Sequence, residues 1–419
     1  MLTPKVQMNV RGEGYASGYN LQVAGQGAQA RDILLSERCP LVPVKHCSMQ
    51  YTAPGRVNLL GEHTDYTGGL VLPMAIPFAT TASISAADAG YRFTSTAFEN
   101  TRDTYAGDDT PKANDWSDYP VGVLRELLAL GLEVPPFSLN LDGDVPLGAG
   151  LSSSASIEVA TTVALLHHSK ASLSAQEMAL LCQRAENRYV GSPCGIMDQF
   201  VVTAAIEGHA LLLNTRDLSF EHLPMNSGAL AECSVVVANS MVKHSIANGD
   251  YGTRRNELEV GQAAICQAYP QVRDLGDASM EQLEACRSAI PAESYLRCKH
   301  VITENARVRE AAESMKRGDA AALGDAMNRS HASQRDDFQD SVAEIDFLAA
   351  TAVTLYGCYG SRLTGGGFGG CTVNLVLTTA AESFQRDLAS AYRKRYQIDA
   401  EIYRCTPSDG AVARLERNA

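Results

Sequence analysis

The sequence predicts a soluble protein of mixed helix and strand, α/β or α+β, divided into two domains. Three observations carry this expectation. At 419 residues the chain is too long for one ordinary domain and suits two. Helical and strand patterns alternate along the whole chain. The composition, 45% hydrophobic and 20% charged, is globular and excludes collagenous, coiled-coil and wholly disordered chains.

Taken in order, residues 1–30 carry Gly12, Gly14, Ser17, Gly18, Gly25, Gln26 and Gly27 but no apolar stretch, so they read as a loose leader rather than a secretion signal. The fold is expected to start near Arg31. Ala79 to Ala86 is rich in β-branched residues and reads as a strand, as does Phe137 to Leu141. Leu151 to His167 is a run of small and apolar residues, a buried helix entered through a glycine loop. Ser174 and Glu177 make a capping box, after which Met178, Leu181, Cys182, Ala185 and Tyr189 share one helical face. A domain boundary is expected near residue 215, dividing 31–215 from 216–419. Beyond it, Cys233 to Ala238 reads as a strand, and Tyr251 to Tyr269 and Ala306 to Met315 as helices. Cys371, Val373, Leu375 and Leu377 alternate as a strand that follows a glycine run directly.

Charge and cysteine usage narrow the function. Lys plus Arg number 35 against 48 for Asp plus Glu, a net charge of −13, so the chain lacks the basic field that holds nucleic acid or an anionic membrane. Any anionic ligand must be held by local groups. The eleven cysteines form no C-x-x-C pair, which reads as reduced thiols in a cytoplasmic protein and argues against zinc. No run of about eighteen apolar residues is present to span a membrane.

Three glycine-bearing segments concentrate the polar chemistry. The first, from Ala53 to Tyr66, places Arg56, Asn58, Glu62, His63 and Asp65 within ten positions. Glu62, His63 and Asp65 suit a polyhydroxylated ligand, because a site that must pair each hydroxyl rejects the wrong stereochemistry. By composition alone a solvated turn with a surface ion pair is the simpler account. The second, Pro146 to Ala155, sets Gly148 and Gly150 before Ser152, Ser153 and Ser154 at the start of the expected helix. Unpaired N–H groups there make a local phosphate cradle, and a serine hydroxyl can ligate magnesium. It is not a Walker loop, and a capped helix after a flexible turn fits the same residues. The third, Gly360 to Gly370, has five glycines in the six positions 365–370, which suggests backbone packed closely against backbone or ligand, or else a tight turn between helix and strand. Between the second and third, Gly191 to Phe200 holds Asp198 beside Ile196, Met197 and Phe200. A carboxylate in that setting is partly buried and calls for an arginine partner, in a catalytic or a purely structural ion pair.

In this order the segments resemble the galactokinase family, in the superfamily of small-molecule kinases that includes homoserine and mevalonate kinases. GRVNLLGEHTDY (55–66) is similar to the galactokinase signature and PLGAGLSSSA (146–155) to the superfamily's ATP loop. GSPCGIMDQF, NSMVKHS with Tyr251 and the two arginines after it, and YGSRLTGGGFGGC also match, so the resemblance covers roughly residues 45–410. It implies an α+β, two-domain small-molecule kinase fold, with a mixed-sheet N-terminal domain, a ferredoxin-like C-terminal domain and the active site in the cleft between them. It implies transfer of the γ-phosphoryl group of ATP to the C1 hydroxyl of α-D-galactose, with Mg2+; a monomer is expected. By position, Asp198 matches the catalytic base and Arg56 the arginine beside it. Glu62, His63, Asp65, Gly195 and Tyr251 match sugar contacts, and Gly148, Gly150 and Ser152 to Ser154 the phosphate loop. Ser154 and Glu186 match the pair nearest the metal, and Trp116 an adenine-stacking aromatic. Two features depart from the resemblance: the long leader, and Lys243 where arginine is commoner. The cluster Ser330, His331, Ser333, Arg335, Asp336 and Asp337 reads as a polar helix end, since no nucleophile elbow precedes it. A kinase for a related sugar, such as N-acetylgalactosamine or arabinose, and a non-catalytic sugar sensor are the competing functions. The complete Leu151 to Ala155 loop ranks the sensor below the enzyme.

Overall fold

The computed structural model describes residues 49–104, 112–146, 148–243 and 250–418, all within the compact unit His46–Ala419. The expected leader and the fold start near Arg31 lie outside the described residues.

The first half builds a mixed five-stranded sheet from β1 (Met49–Asn58), β3 (Pro73–Ala86), β4 (Tyr91–Ser95), β5 (Arg102–Thr104) and β6 (Phe137–Gly143), with β2 (Leu70–Val71) leaving to pair elsewhere. Its order is β1-β3-β6-β4-β5, and the β4–β6 pair is the parallel one. The β-branched stretch at Ala79 forms the second part of β3, where Thr80, Ala82 and Ile84 point inward and their neighbours outward. Helix α2 (Ser153–His168) packs on this sheet and helix α1 (Asp118–Ala129) packs on α2; α2 starts two residues after Leu151 and is buried through nearly its whole length. A helix apolar on all sides is stable only when covered on all sides, which accounts for its central place.

Helix α3 (Ala175–Arg184) begins at the reciprocal Ser174–Glu177 capping box. Its face of Met178, Leu181 and Cys182 is buried, but the chain then enters a π-helical turn, Ala185–Val190. That wider turn breaks the 3.6-residue period, so Tyr189 packs only partly against the core the period assigns it to. It also presents Glu186, and the chain continues into α4 (Met197–Ala204).

Residue 215 falls in the turn between β7 (His209–Asn214) and β8 (Phe220–Pro224), which pair with β2 in a small sheet. Beyond it come β9 (Cys233–Lys243), α5 (Asp250–Ala268), α6 (Met280–Ala285), α7 (Ala292–Lys316), α8 (Ala320–Ser333), α9 (Ala343–Ala352), β10 (Cys358–Thr364), β11 (Gly369–Leu377), α10 (Ala381–Tyr396), β12 (Glu401–Cys405) and α11 (Ala411–Asn418). The strands form an antiparallel sheet in the order β10-β11-β9-β12. Strand β11 departs from the half-buried alternation expected of it, because both of its faces are covered and even Thr372 and Asn374 are fully buried. One face packs on α9 and α10 through Val236, Val376 and Phe384. The other joins Val237, Val373 and Leu375 to Val57, Leu59 and Met74 from the first half in one apolar cluster. The glycine-rich third segment is the turn of the β10–β11 hairpin, not a helix-to-strand turn.

Candidate active site

Strand β1, which the polar density of its second half concealed, delivers the first functional side chain. Its register on β3 shifts between Pro54 and Arg56, and such bulges re-aim the next side chain. Gly55 is required at this point, because a Cβ there would lie 2.7 Å from the carbonyl oxygen of Leu151. The close approach lets the Arg56 amide donate to that oxygen at 3.0 Å. From the bulge Arg56 donates through Nε and Nη2 to Oδ1 and Oδ2 of Asp198 at 2.7 and 2.6 Å, and through Nη1 to the Gly150 carbonyl at 2.6 Å. Burial works against the guanidinium charge, yet the adjoining Asp198 holds its pKa above the usual arginine value.

Asp198 stands in the first turn of α4, with 25% of its side chain exposed. Besides the two-pronged arginine it accepts a hydrogen bond of 2.5 Å from Ser152 Oγ. Ser152 has a left-handed φ of 60° at the N-cap of α2 and makes no side-chain cap bond. Its hydroxyl is turned to Asp198, so it does not cap the N–H groups opening α2. The three motifs meet here: the hairpin turn lies against the second glycine loop, with a Cβ on Gly365 only 3.2 Å from the Gly150 oxygen.

Around this pair lie the carboxylates of the first segment. Asp65 packs so tightly on Gly195 that a Cβ there would come within 1.8 Å of its Oδ2. Burial, then the charges of Asp198 and Glu62, push its pKa up to about 7. Glu62 is also raised by burial, against the pull of Arg362 and Arg56. Its Oε1 accepts from the Gly365 amide at 3.0 Å and from Arg362 Nη1 at 3.4 Å. His63 has φ 63°, stacks on Phe338 with centroids 3.8 Å apart, and engages both ring nitrogens: Nε2 with Asp340 Oδ2 and Nδ1 with the Tyr66 hydroxyl, each at 2.9 Å. Glu62 and His63 are therefore buried and already tied to protein partners. Tyr251 falls within α5, but its side chain and that of Lys243 lie outside the described residues.

On the far side of Asp198, the Ser154 hydroxyl reaches the Glu186 carboxylate. Burial, then the charge of Asp198, raises Glu186 to about 7. Gln199 Nε2 donates to Glu186 at 2.6 Å and to the fully buried Glu158 at 3.2 Å. Beyond the serines opens a cavity of about 450 Å3 lined by Trp116, Phe98, Ile157, Ser153 and Ser154. Trp116 lies parallel to Phe98 at 5.9 Å, and its Nε1 donates to Asn100 at 2.7 Å.

The structure thus gathers Arg56, Glu62, His63, Asp65, Gly195 and Asp198 at one end, and the Gly148–Ser154 loop, Glu186 and Trp116 at the other. Sequence reasoning missed Arg362, Asp340, Gln199, Glu158 and Phe98. Gln199 and Arg362 lie inside motifs already singled out, so proximity to those motifs was the signal available. Nothing local marks Asp340 or Phe98. The Ser330–Asp337 cluster closes α8 as a polar end, with Ser330 Oγ on Glu304 at 2.7 Å and Ser333 paired to His300 and Asp337.

Comparison with known proteins follows the same segments. Residues 45–86 match the galactokinase galactose-binding signature, 118–206 the GHMP kinases N terminal domain and 311–394 the GHMP kinases C terminal. The galactokinase of Roseiflexus sp. (strain RS-1) is 42% identical over 368 residues, covering 88% of this chain and 93% of the relative. That of Homo sapiens is 39% identical over 369 residues, covering 86% and 91%. The structure of Lactococcus lactis galactokinase complexed with galactose matches with a TM-score of 0.83 at 29% identity, over 87% of this chain and 94% of that one. Methanococcus jannaschii mevalonate kinase, at a TM-score of 0.63 and 18% identity over 87% of this chain and 100% of its own, shares the fold alone.

Proposed function

The chain belongs to the galactokinases of the GHMP kinase family, and from that membership we propose how its residues divide the reaction. The reaction is transfer of the γ-phosphoryl group of ATP to the C1 hydroxyl of α-D-galactose, giving galactose 1-phosphate and ADP. Asp198 orients the C1 hydroxyl and accepts its proton, while Arg56 fixes Asp198 and offsets charge on the transferring group. The observation that carries this assignment is the bidentate Arg56–Asp198 pair at the mouth of the serine loop, with Ser152 on the same carboxylate. The two-pronged arginine fixes the direction in which the Asp198 carboxylate points. In a loose phosphoryl-transfer transition state the nucleophile's proton leaves late, so positioning and charge matter more than basicity.

Glu62, His63, Asp65, Gly195 and Tyr251 form the sugar side. A carboxyl poised near neutrality, as at Asp65, can donate to one hydroxyl oxygen or accept from another hydroxyl. Gly148, Gly150 and Ser152 to Ser154 cradle the phosphates with the opening N–H groups of α2, and Trp116 faces the adenine. Magnesium fits Ser154 and Glu186. They offer one hydroxyl and one carboxylate whose charge is opposed by burial, and no described group of three or more acidic, His or Cys side chains forms a dedicated metal cage. Such a pair suits a cation that completes its shell with phosphate oxygens and water. When bound, the ion would neutralise charge on the phosphates. We include in the proposal a division near residue 215, a monomeric state and a cytoplasmic location, the last supported by the unpaired pattern of cysteines. No described helix is long and apolar enough to cross a membrane.

ADP release from Mg-ATP across a panel of sugars, for the wild type and Asp198→Ala, tests the reading. Turnover on galactose should fall about 10²–10⁴-fold in the variant while galactose binding by calorimetry persists. Turnover confined to N-acetylgalactosamine or arabinose would move the substrate. Galactose binding by the wild type without ADP release would overturn the enzyme.

A further inference from the structure

Behind the pair assigned to magnesium lies a layer of polar side chains that the reaction does not use directly. Gln199 follows Asp198 on α4 and is fully buried, and Glu158, fully buried on α2, faces it. The one Gln199 nitrogen bridges two carboxylates, at 2.6 Å to Glu186 Oε2 and 3.2 Å to Glu158 Oε2. Gln199 Oε1 and Glu158 Oε1 are buried with no hydrogen-bond partner. Burying polar atoms without partners is costly, and an apolar pair would fill the same space more cheaply. The three groups come from three elements: α2, which opens with the serine loop; the π turn that carries Glu186; and α4, which carries Asp198.

Resting on the reading of Ser154 and Glu186 given above, we propose that Gln199, braced by Glu158, is a positioning residue that holds Glu186 toward Ser154. It thereby ties the metal side of the cleft to the helix that bears Asp198. An amide serves where a cation would not, because it steers the Glu186 carboxylate by one hydrogen bond without cancelling its charge. Its second hydrogen then requires an acceptor, and Glu158 supplies it. Outer partners of metal ligands typically change metal affinity 10–100-fold when removed.

The test uses the full chain with ADP and Mn2+ as the probe, free Mn2+ being read by electron paramagnetic resonance and galactose affinity by calorimetry. Gln199→Leu should weaken Mn2+ binding to the ADP complex about 10–100-fold and leave galactose affinity within about twofold. A merely structural loss would lower both together. Glu158→Gln still offers Gln199 an acceptor and should stay within about threefold of the wild type, whereas Glu158→Leu should weaken Mn2+ as Gln199→Leu does. This second pair carries the test if Gln199→Leu fails to fold. Wild-type Mn2+ affinity in Gln199→Leu, or equal losses in the two Glu158 variants, would overturn the inference. Glu186→Gln separates it from its premise. If that variant binds Mn2+ as the wild type does, the metal reading falls and the inference with it. If it binds weakly while Gln199→Leu does not, only the inference falls.

Discussion

Asp65 and Asp198 are near neighbours but do not share an environment. Asp198 has both oxygens held by Arg56 and one also by Ser152. Asp65 is pressed on Gly195, and burial with the charges of Asp198 and Glu62 raises it to about 7. Between the unfolded aspartate value of about 3.9 and that raised value, the folded chain binds a proton that the unfolded chain does not. The protonated group does not oppose folding below this window. As pH rises through it the charge must be buried, and stability is lost and stays lost above. Asp65→Asn mimics the neutral form. It is expected to raise Tm by about 2 °C at pH 8 and to change it little at pH 4, with weaker galactose binding. Equal shifts at both pH values in thermal unfolding would remove this account.

Single elements aim the groups that residues supply. The bulge in β1 turns Arg56 toward Asp198 and exists because Gly55 lets Leu151 approach. In Gly55→Ala the new methyl must push β1 away from the serine loop. The expected result is a fall in kcat of about tenfold or more with a smaller change in galactose KM, since a misplacement of about 1 Å can cost up to 10²-fold. Steady-state kinetics in both substrates reads the split, and unchanged kcat would refute the role of the bulge. Helix α2 offers its first turn beside a cavity walled by Trp116, the only tryptophan in the chain. Intrinsic fluorescence excited at the indole should therefore respond to ADP or ATP and stay still on adding galactose alone. A response to galactose and none to nucleotide would remove Trp116 from the nucleotide site.

At the scale of the molecule, the field and the local site oppose one another. The chain carries a net charge of −13 while its substrate ATP is itself an anion. On the proposed division of roles, attraction comes from Arg56, the backbone N–H groups of α2 and a bound cation at short range, where salt screens least. KM for ATP is accordingly expected to change by less than about twofold between about 50 and 200 mM NaCl. A steep rise with salt would mean that a long-range positive field does the binding. One of the apolar clusters spans both halves on the same scale: Val57 and Met74 of the first share it with Val237 and Val373 of the second, so β1 and the glycine hairpin are packed against one another.

Much of this was legible in the sequence where the signal is local. The capping box at Ser174, the buried helix after the serine loop and the strand after the glycine run depend on periods and caps within a few residues, and each is present. The motif segments hold most of the polar side chains that meet around Arg56 and Asp198, and several of these are buried there. Where local rules failed, tertiary contacts overrode them. The π turn displaced Tyr189, β1 hid in a polar segment, and β11 is covered on both faces because the first half packs on its sheet. By itself the sequence determined which residue types are present and which stretches carry them. Only the tertiary structure decided the pairings. Arg56 meets Asp198 across 142 positions and His63 meets Asp340 across 277, contacts made by tertiary packing of helix, strand and loops and encoded in no local pattern.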